Sequence, residues 1–199
     1  MSNNKIGPVI GLGGSAGSLS AILEICANLN HPLNATVIIA NHLPYNGKSV
    51  MKELLEHHSS FSIKKVFAND QLECSTVHVS EPGRVLKPQA DGRVTAYFDN
   101  LNKYRAKNIN ALFKAMAESS KEESIGVLLS GTNNDGHDGL KAIIEAGGIA
   151  AVQSPESADF EYMPREAIKA GLAHLDGSPA YLAQFINQAV EGLNCKTSP

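Results

Sequence analysis

Residues Ile6 to Ser18 read IGPVIGLGGSAGS, and the reading of this stretch decides the fold. Its first part, Ile6 to Leu12, is short and apolar and runs into Gly11, Gly13, Gly14 and Gly17, the pattern of a buried strand entering a tight turn. From Ser18 onward the apolar positions Leu19, Ile22, Leu23 and Cys26 recur at helical spacing, and they stop before the breaker Asn30-His31-Pro32. Strand, turn and helix thus follow one another directly.

The same alternation continues downstream. Ala35 to Ala40 (ATVIIA) is a β-branched run closed by Asn41-His42-Leu43-Pro44, and Ser49 to His58 reads as a helix. Ser124 to Leu129 leads into Ser130-Gly131-Thr132, followed by a helix near Gly139 to Ala146, a strand at Ile149 to Gln153, and helices near Pro164 to Ala170 and Ala180 to Val190. Alternating β and α elements imply a parallel sheet covered on both faces. Between Ile63 and Phe98 the texture changes to short alternating runs, among them Thr76 to Ser80 and Arg93 to Phe98. Pro82-Gly83 and Asp91-Gly92 separate them as hairpin signals. The expected fold is α/β and doubly wound, a mostly parallel sheet in three layers with a small antiparallel hairpin excursion in mid-chain. Active groups then belong at the C-terminal ends of the parallel strands.

Composition sets the remaining bounds. A chain of 199 residues with 43% hydrophobic content can bury one core, so a single domain over 1–199 is expected, its core about 6–189, with a polar tail frayed after Val190. Lys and Arg number 17 against 20 Asp and Glu, a net charge of −3 that leaves no footprint for nucleic acid. Cys26, Cys74 and Cys195 are odd in number and outside any C-x-x-C spacing, which fits neither a disulfide framework nor a zinc knuckle but a reducing cytoplasm. Met1 to Lys5 is polar, without the apolar stretch of a secretory signal, and the longest apolar runs are strand-sized, so no membrane insertion is expected.

Three loops carry chemistry. Gly13-Gly14-Ser15-Ala16-Gly17 is a G-x-S-x-G sequence at a strand-to-helix junction, where small neighbours permit a sharp turn that lifts a hydroxyl above the sheet; Ser15 is the candidate nucleophile. The same glycines, with Ala16, also satisfy G-x-G-x-x-A for a nucleotide-binding fold. That reading needs an acid to grip the ribose, and the second strand ends in Asn41-His42 instead. His42, at the end of the second strand, is placed to meet Ser15 as a general base, whereas His31, His57, His58, His78, His137 and His174 read as surface or structural residues. The third loop, Ser130 to Gly136, offers Asp135 as the carboxylate that orients an imidazole. Asp138 competes with it, and both also suit simple helix capping, so the residues by themselves leave the choice open. Asp135, His137 and Asp138 lack the wider ligand set of a metal site.

At these loops the chain resembles the catalytic domain of the CheB-type protein-glutamate methylesterases, over about Ile6 to Ala189. Gly13-Gly14-Ser15-Ala16-Gly17-Ser18 is similar to the family's G-A-S-x-G-G, Asn41-His42-Leu43-Pro44 to its Q-H-x-P, and Gly131-Thr132-Asn133-Asn134-Asp135-Gly136 to its G-x-x-x-D-G. Asn108 to Phe113, Glu145 to Gly148, Gln153 to Ala158 and Met163 to Ile168 also match family stretches. Gly14, Ser18, Ser80 to Arg84 and Tyr104 to Lys107 depart from the pattern. The resemblance selects Asp135 over Asp138 and implies a Ser15, His42, Asp135 triad, with Ala16 and Thr132 as oxyanion-hole donors. It implies hydrolysis of glutamate γ-methyl esters, and deamidation of glutamine through the same acyl intermediate, with no cofactor or metal. The implied partners are a methylated chemoreceptor or similar helical cytoplasmic protein, with a separate receiver domain or methyltransferase as further candidates. Many relatives carry an N-terminal receiver; this sequence begins at the catalytic strand, and control by an attached receiver is not expected within it. The alternatives are a non-catalytic signalling or binding module of the same fold and the nucleotide-binding protein.

Overall fold

The structure, a computed structural model, describes residues 7–42, 49–98 and 107–197. The first strand, β1 (Val9–Gly14), is followed by α1 (Ser18–Asn28), β2 (Thr36–Asn41) and α2 (Met51–His58). β3 (Ser62–Lys65), β4 (Thr76–Val79) and the pair β5 (Arg84–Pro88) and β6 (Val94–Phe98) fill the middle of the chain. After α3 (Asn108–Ser120) come β7 (Ser124–Leu128), α4 (His137–Glu145), β8 (Ile149–Gln153), α5 (Tyr162–Lys169), β9 (Leu175–Gly177) and α6 (Pro179–Thr197).

Seven strands form one parallel sheet in the order β3-β4-β2-β1-β7-β8-β9. Successive residues of its central strands feed opposite cores, which is why those strands read as unbroken apolar runs. Ile10, Leu12, Val37, Ile39, Ile125 and Val127 pack with Ile22 and Ile25 of α1, Leu55 of α2 and Ile186 of α6. Val9, Ile38, Ala40, Leu128 and Val152 pack instead with Phe113 and Met116 of α3, Leu140 of α4 and Met163 of α5. Strand order reverses between β1 and β7, and the crevice beyond the carboxyl ends of strands at such a reversal is where open α/β sheets bind ligands.

The expected doubly wound α/β architecture is the observed one, and its departures from the sequence reading have physical causes. Thr76 to Val79 is not half of a hairpin: β4 runs parallel between β2 and β3, buried on both faces. Its polar members are satisfied inside the protein, since Thr76 Oγ donates to Cys74 O (3.2 Å) and His78 bonds Val37 O through Nδ1 (3.2 Å). The antiparallel excursion is β5 with β6, turned at Asp91-Gly92. β1 reaches two residues past Leu12, its ladder to β2 continuing through Gly13–Ala40 and Gly14–Asn41, and α3 packs so close there that a Cβ on Gly13 would lie 2.4 Å from Ile109 Cγ2. The tail expected to fray after Val190 continues as α6 to Thr197. Ile6, Leu43-Pro44 and Tyr104 to Ala106, on which parts of the sequence reading rest, lie outside the described residues, as does the side chain of Cys195. Burial pushes the Cys26 thiol up to about 12, so it stays protonated and inert, while Cys74 is exposed.

Candidate active site

Ser15 sits on the turn between β1 and α1 and is half-buried. Its amide donates to Ser130 O (2.9 Å), just as Leu129 N donates to Gly13 O (2.8 Å), so the β1–β7 ladder runs on into the Ser15 turn. The carbonyl of Ser15 accepts from Ser18 Oγ at 2.8 Å, and this starts α1. Gly17 takes a left-handed conformation (φ 74°), and a Cβ there would lie 2.5 Å from Asp159 Cβ, so both backbone and space demand glycine. Behind the turn, Ser130 Oγ donates to Ala16 O (2.8 Å) and accepts from Phe160 N (2.9 Å). Gln153 accepts Ser130 N (2.9 Å) and donates to Ser157 O (2.9 Å), tying the turn to β8.

His42 leaves the end of β2 with its amide on Gly14 O (3.3 Å). Its Nδ1 is 3.0 Å from Ser15 Oγ and its Nε2 is 2.8 Å from Asp135 Oδ2. The imidazole is 17% exposed and the carboxylate 3%, so one edge of the ring faces the solvent side while its partner is sealed. Ser15, His42 and Asp135 therefore form one chain of hydrogen bonds at the carboxyl end of the sheet, spanning the β1–β7 reversal.

Asp135 is held from a part of the chain distant in sequence. Its Oδ2 accepts Ile109 N (3.0 Å), and its Oδ1 accepts Asn110 N (2.9 Å) and Gly136 N (3.0 Å). The first two donors are among the unpaired amides at the start of α3, where the helix presents the positive end of its dipole. Asn110 then reaches back with Oδ1 to accept Gly136 N (3.0 Å) and Gly139 N (2.8 Å), the start of α4. The rival carboxylate, Asp138, is 65% exposed and lies 3.7 Å from Lys114, whereas the carboxylate on His42 is that of Asp135.

Three of the other histidines have structural partners here: His137 Nε2 lies 3.1 Å from Met163 O, His58 Nδ1 2.8 Å from Leu54 O, and His174 Nδ1 accepts Ala150 N at 3.1 Å. Among the described residues no three His, Cys, Asp or Glu side chains are grouped to hold a metal ion. The amides of Ser15 and Gly131 are spent on Ser130 O and Phe160 O (3.0 Å), whereas among the described residues those of Ala16 and Thr132 have no acceptor. Sequence reasoning missed Ser130, Gln153, Asn133 and the amides of Ile109 and Asn110. The signal for the last two was present in the Asn108 to Phe113 stretch, which reads as a helix start only once α3 is seen.

This arrangement can pass a proton from a serine hydroxyl to a ring nitrogen whose far side is fixed by a carboxylate, the geometry of nucleophilic acyl transfer. Comparison with known proteins points the same way. A crystal structure of the Thermotoga maritima CheB methylesterase catalytic domain shares the fold, with a TM-score of 0.81, 22% identity, and coverage of 93% of this chain and 98% of that one. A Leptospira interrogans protein is 30% identical over 159 residues, 80% of this chain and 82% of its own length. Proteins named protein-glutamate methylesterase/protein-glutamine glutaminase from Moorella thermoacetica (28% identical) and Bacillus subtilis (25%) match 88% and 83% of this chain. Of those two proteins the chain spans 43% and 48%, less than half of each. The model of the CheB methylesterase family matches residues 10–186, which takes in all three loops, and the chain belongs to that family.

Proposed function

We propose that this protein is a serine hydrolase that demethylates glutamate γ-methyl esters on helical cytoplasmic segments of chemoreceptors or similar signalling proteins. The observation that carries this reading is the continuous chain from Ser15 Oγ through His42 to Asp135, in a member of the CheB methylesterase family. His42 Nδ1 takes the Ser15 proton as Oγ attacks the ester carbonyl, and Asp135 fixes the tautomer by accepting Nε2–H. Methanol leaves, and water cleaves the acyl-enzyme to glutamate. The free amides of Ala16 and Thr132 are the oxyanion donors in this scheme. Deamidation of glutamine passes through the same acyl intermediate, and the paired activities in the names of the Moorella and Bacillus relatives support it. No described helix is long and apolar enough to cross a membrane.

Incubation with a serine-directed phosphonate followed by peptide mapping tests the reading. The expected result is a single adduct on Ser15 and parallel loss of methanol release from methylated receptor. Full methanol release from a fully labelled protein, or labelling elsewhere with Ser15 untouched, overturns it.

A further inference from the structure

Asn133 stands beside the reacting atoms with no part in the proposed triad. It is exposed on the loop after β7, yet both ends of its carboxamide are placed. Oδ1 accepts the Asp135 amide at 2.8 Å, an Asx turn that fixes the plane of the group. Nδ2 then lies 3.4 Å from His42 Nδ1, the nitrogen that is also 3.0 Å from Ser15 Oγ. A hydroxyl, a ring nitrogen and an amide nitrogen meet there.

Neutral imidazole has one acceptor nitrogen, and with Nε2–H directed at Asp135 that nitrogen is Nδ1. Its lone pair takes the nearer serine proton, and the amide at 3.4 Å keeps donor capacity unspent. In the acylation step the Ser15 Oγ–carbon bond forms and the hydroxyl proton moves to Nδ1. The carbon–oxygen bond to the methoxy group then breaks, and Nδ1–H passes the proton to the departing oxygen, giving methanol. A proton delivered from Nδ1 requires the leaving atom within hydrogen-bond reach of Nδ1, which sets that atom beside Asn133 Nδ2 as well. Once protonated, Nδ1 is itself a donor and accepts nothing from Asn133. The acceptor newly available at that place is the leaving oxygen.

Resting on the triad reading above, we propose that Asn133 determines leaving-group specificity: its Nδ2–H donates to the departing atom and favours an ester oxygen, an acceptor, over the NH2 of glutamine, which presents donors. A site built to satisfy one hydrogen-bonding sense discriminates against the opposite one.

The test measures methanol and ammonia release from a helical chemoreceptor fragment carrying either the methyl ester or glutamine at the same position. Wild type is compared with Asn133→Ser and Asn133→Asp. Both variants keep an oxygen that can accept the Asp135 amide, so the turn survives while the N–H is lost. Serine removes the donor without adding charge; aspartate replaces it with an acceptor suited to NH2. The ester-to-amide ratio of kcat/KM should fall about tenfold with serine, the worth of one hydrogen bond, and further with aspartate. If wild type releases no measurable ammonia, the aspartate variant must bring ammonia release into range. Parallel loss of both activities means that Asn133 only holds the loop and overturns the proposal, as does an unchanged ratio or a wild type that prefers the amide. Ser15→Ala, run alongside, separates the two claims. An active Ser15→Ala, or a wild type that releases neither product, defeats the triad reading and this proposal with it. An inactive Ser15→Ala with an unchanged Asn133 ratio defeats this proposal alone.

Discussion

Ser15 and Asp135 leave neighbouring strands at the same end of one sheet, but their surroundings are built differently. The Ser15 turn is held by its own backbone: its amide extends the β1–β7 ladder, its carbonyl is capped by Ser18, and Gly17 supplies the bend. The Asp135 loop is held by other elements, through two amides at the start of α3 and the side chain of Asn110. A turn held mainly through backbone hydrogen bonds tolerates side-chain changes around it. A carboxylate held by a remote helix depends on packing that brings the helix there, and here that packing is the fully buried Phe113 and Met116 of α3.

The largest expected effects test whether the two sides form one unit. Ser15→Ala and His42→Ala should each remove nearly all ester hydrolysis while circular dichroism shows a folded protein, because triad members act together. Asp135→Asn should cost about 10⁴-fold in kcat, the size seen when the orienting carboxylate of a Ser-His-Asp triad is neutralised. Asp138→Asn should change kcat only slightly, since its carboxylate faces solvent and Lys114. An Asp138 variant as inactive as the Asp135 variant would place the orienting carboxylate in the wrong residue.

Next in size are the two supports. Asn110→Ala leaves the amide of Gly139 without its acceptor and that of Gly136 with Asp135 Oδ1 alone, and Gln153→Ala removes the acceptor of Ser130 N. Each should cost about 1–3 kcal/mol in denaturant unfolding, the penalty of a buried unpaired donor. Only the Asn110 variant should also lose turnover, because Ser15 keeps its backbone ladder without Gln153. Equal losses of kcat in the two variants would erase the contrast between the two sides.

The reach of the sequence follows the same division. Ser15 and His42 are legible because glycines and β-branched runs mark the turn and the strand ends, and a parallel β1–β2 pair brings those ends together. Asp135 and Asp138 cannot be told apart from local chemistry: what distinguishes them is the start of α3, more than twenty residues upstream in each hydrogen bond that α3 makes to Asp135. Thr76 to Val79 reads as a half-buried hairpin strand because alternation alone does not show that the polar members find partners inside. His78 finds them in Val37 O and Glu73 N (3.4 Å), contacts that no local pattern reveals.

The smallest expected effect concerns His78, on a strand that carries neither loop. Burial holds its pKa below the ordinary histidine value of about 6.5, so it stays neutral in the folded protein while the unfolded chain takes up a proton below that pH. Its contribution to stability is complete above about 6.5 and is lost as pH falls below it. Denaturant unfolding of His78→Gln should therefore show a shallower loss of stability between neutral and mildly acidic pH than wild type. An identical slope would show that other groups carry the acid sensitivity. Turnover at neutral pH should survive in the variant, since no residue of the site lies on β4 itself.

The Ser15–Ser130 hydrogen bond makes the amide of Ser15 a rung beyond the ends of β1 and β7. That amide exchanges with solvent deuterium only when this rung opens, so its exchange rate reports how firmly the turn is tied to the sheet. The backbone of Ser15 is thus anchored to the sheet while its hydroxyl is turned to His42. Under the proposed function, a receptor segment would meet a serine whose backbone is already held in place, so binding need not first order that turn.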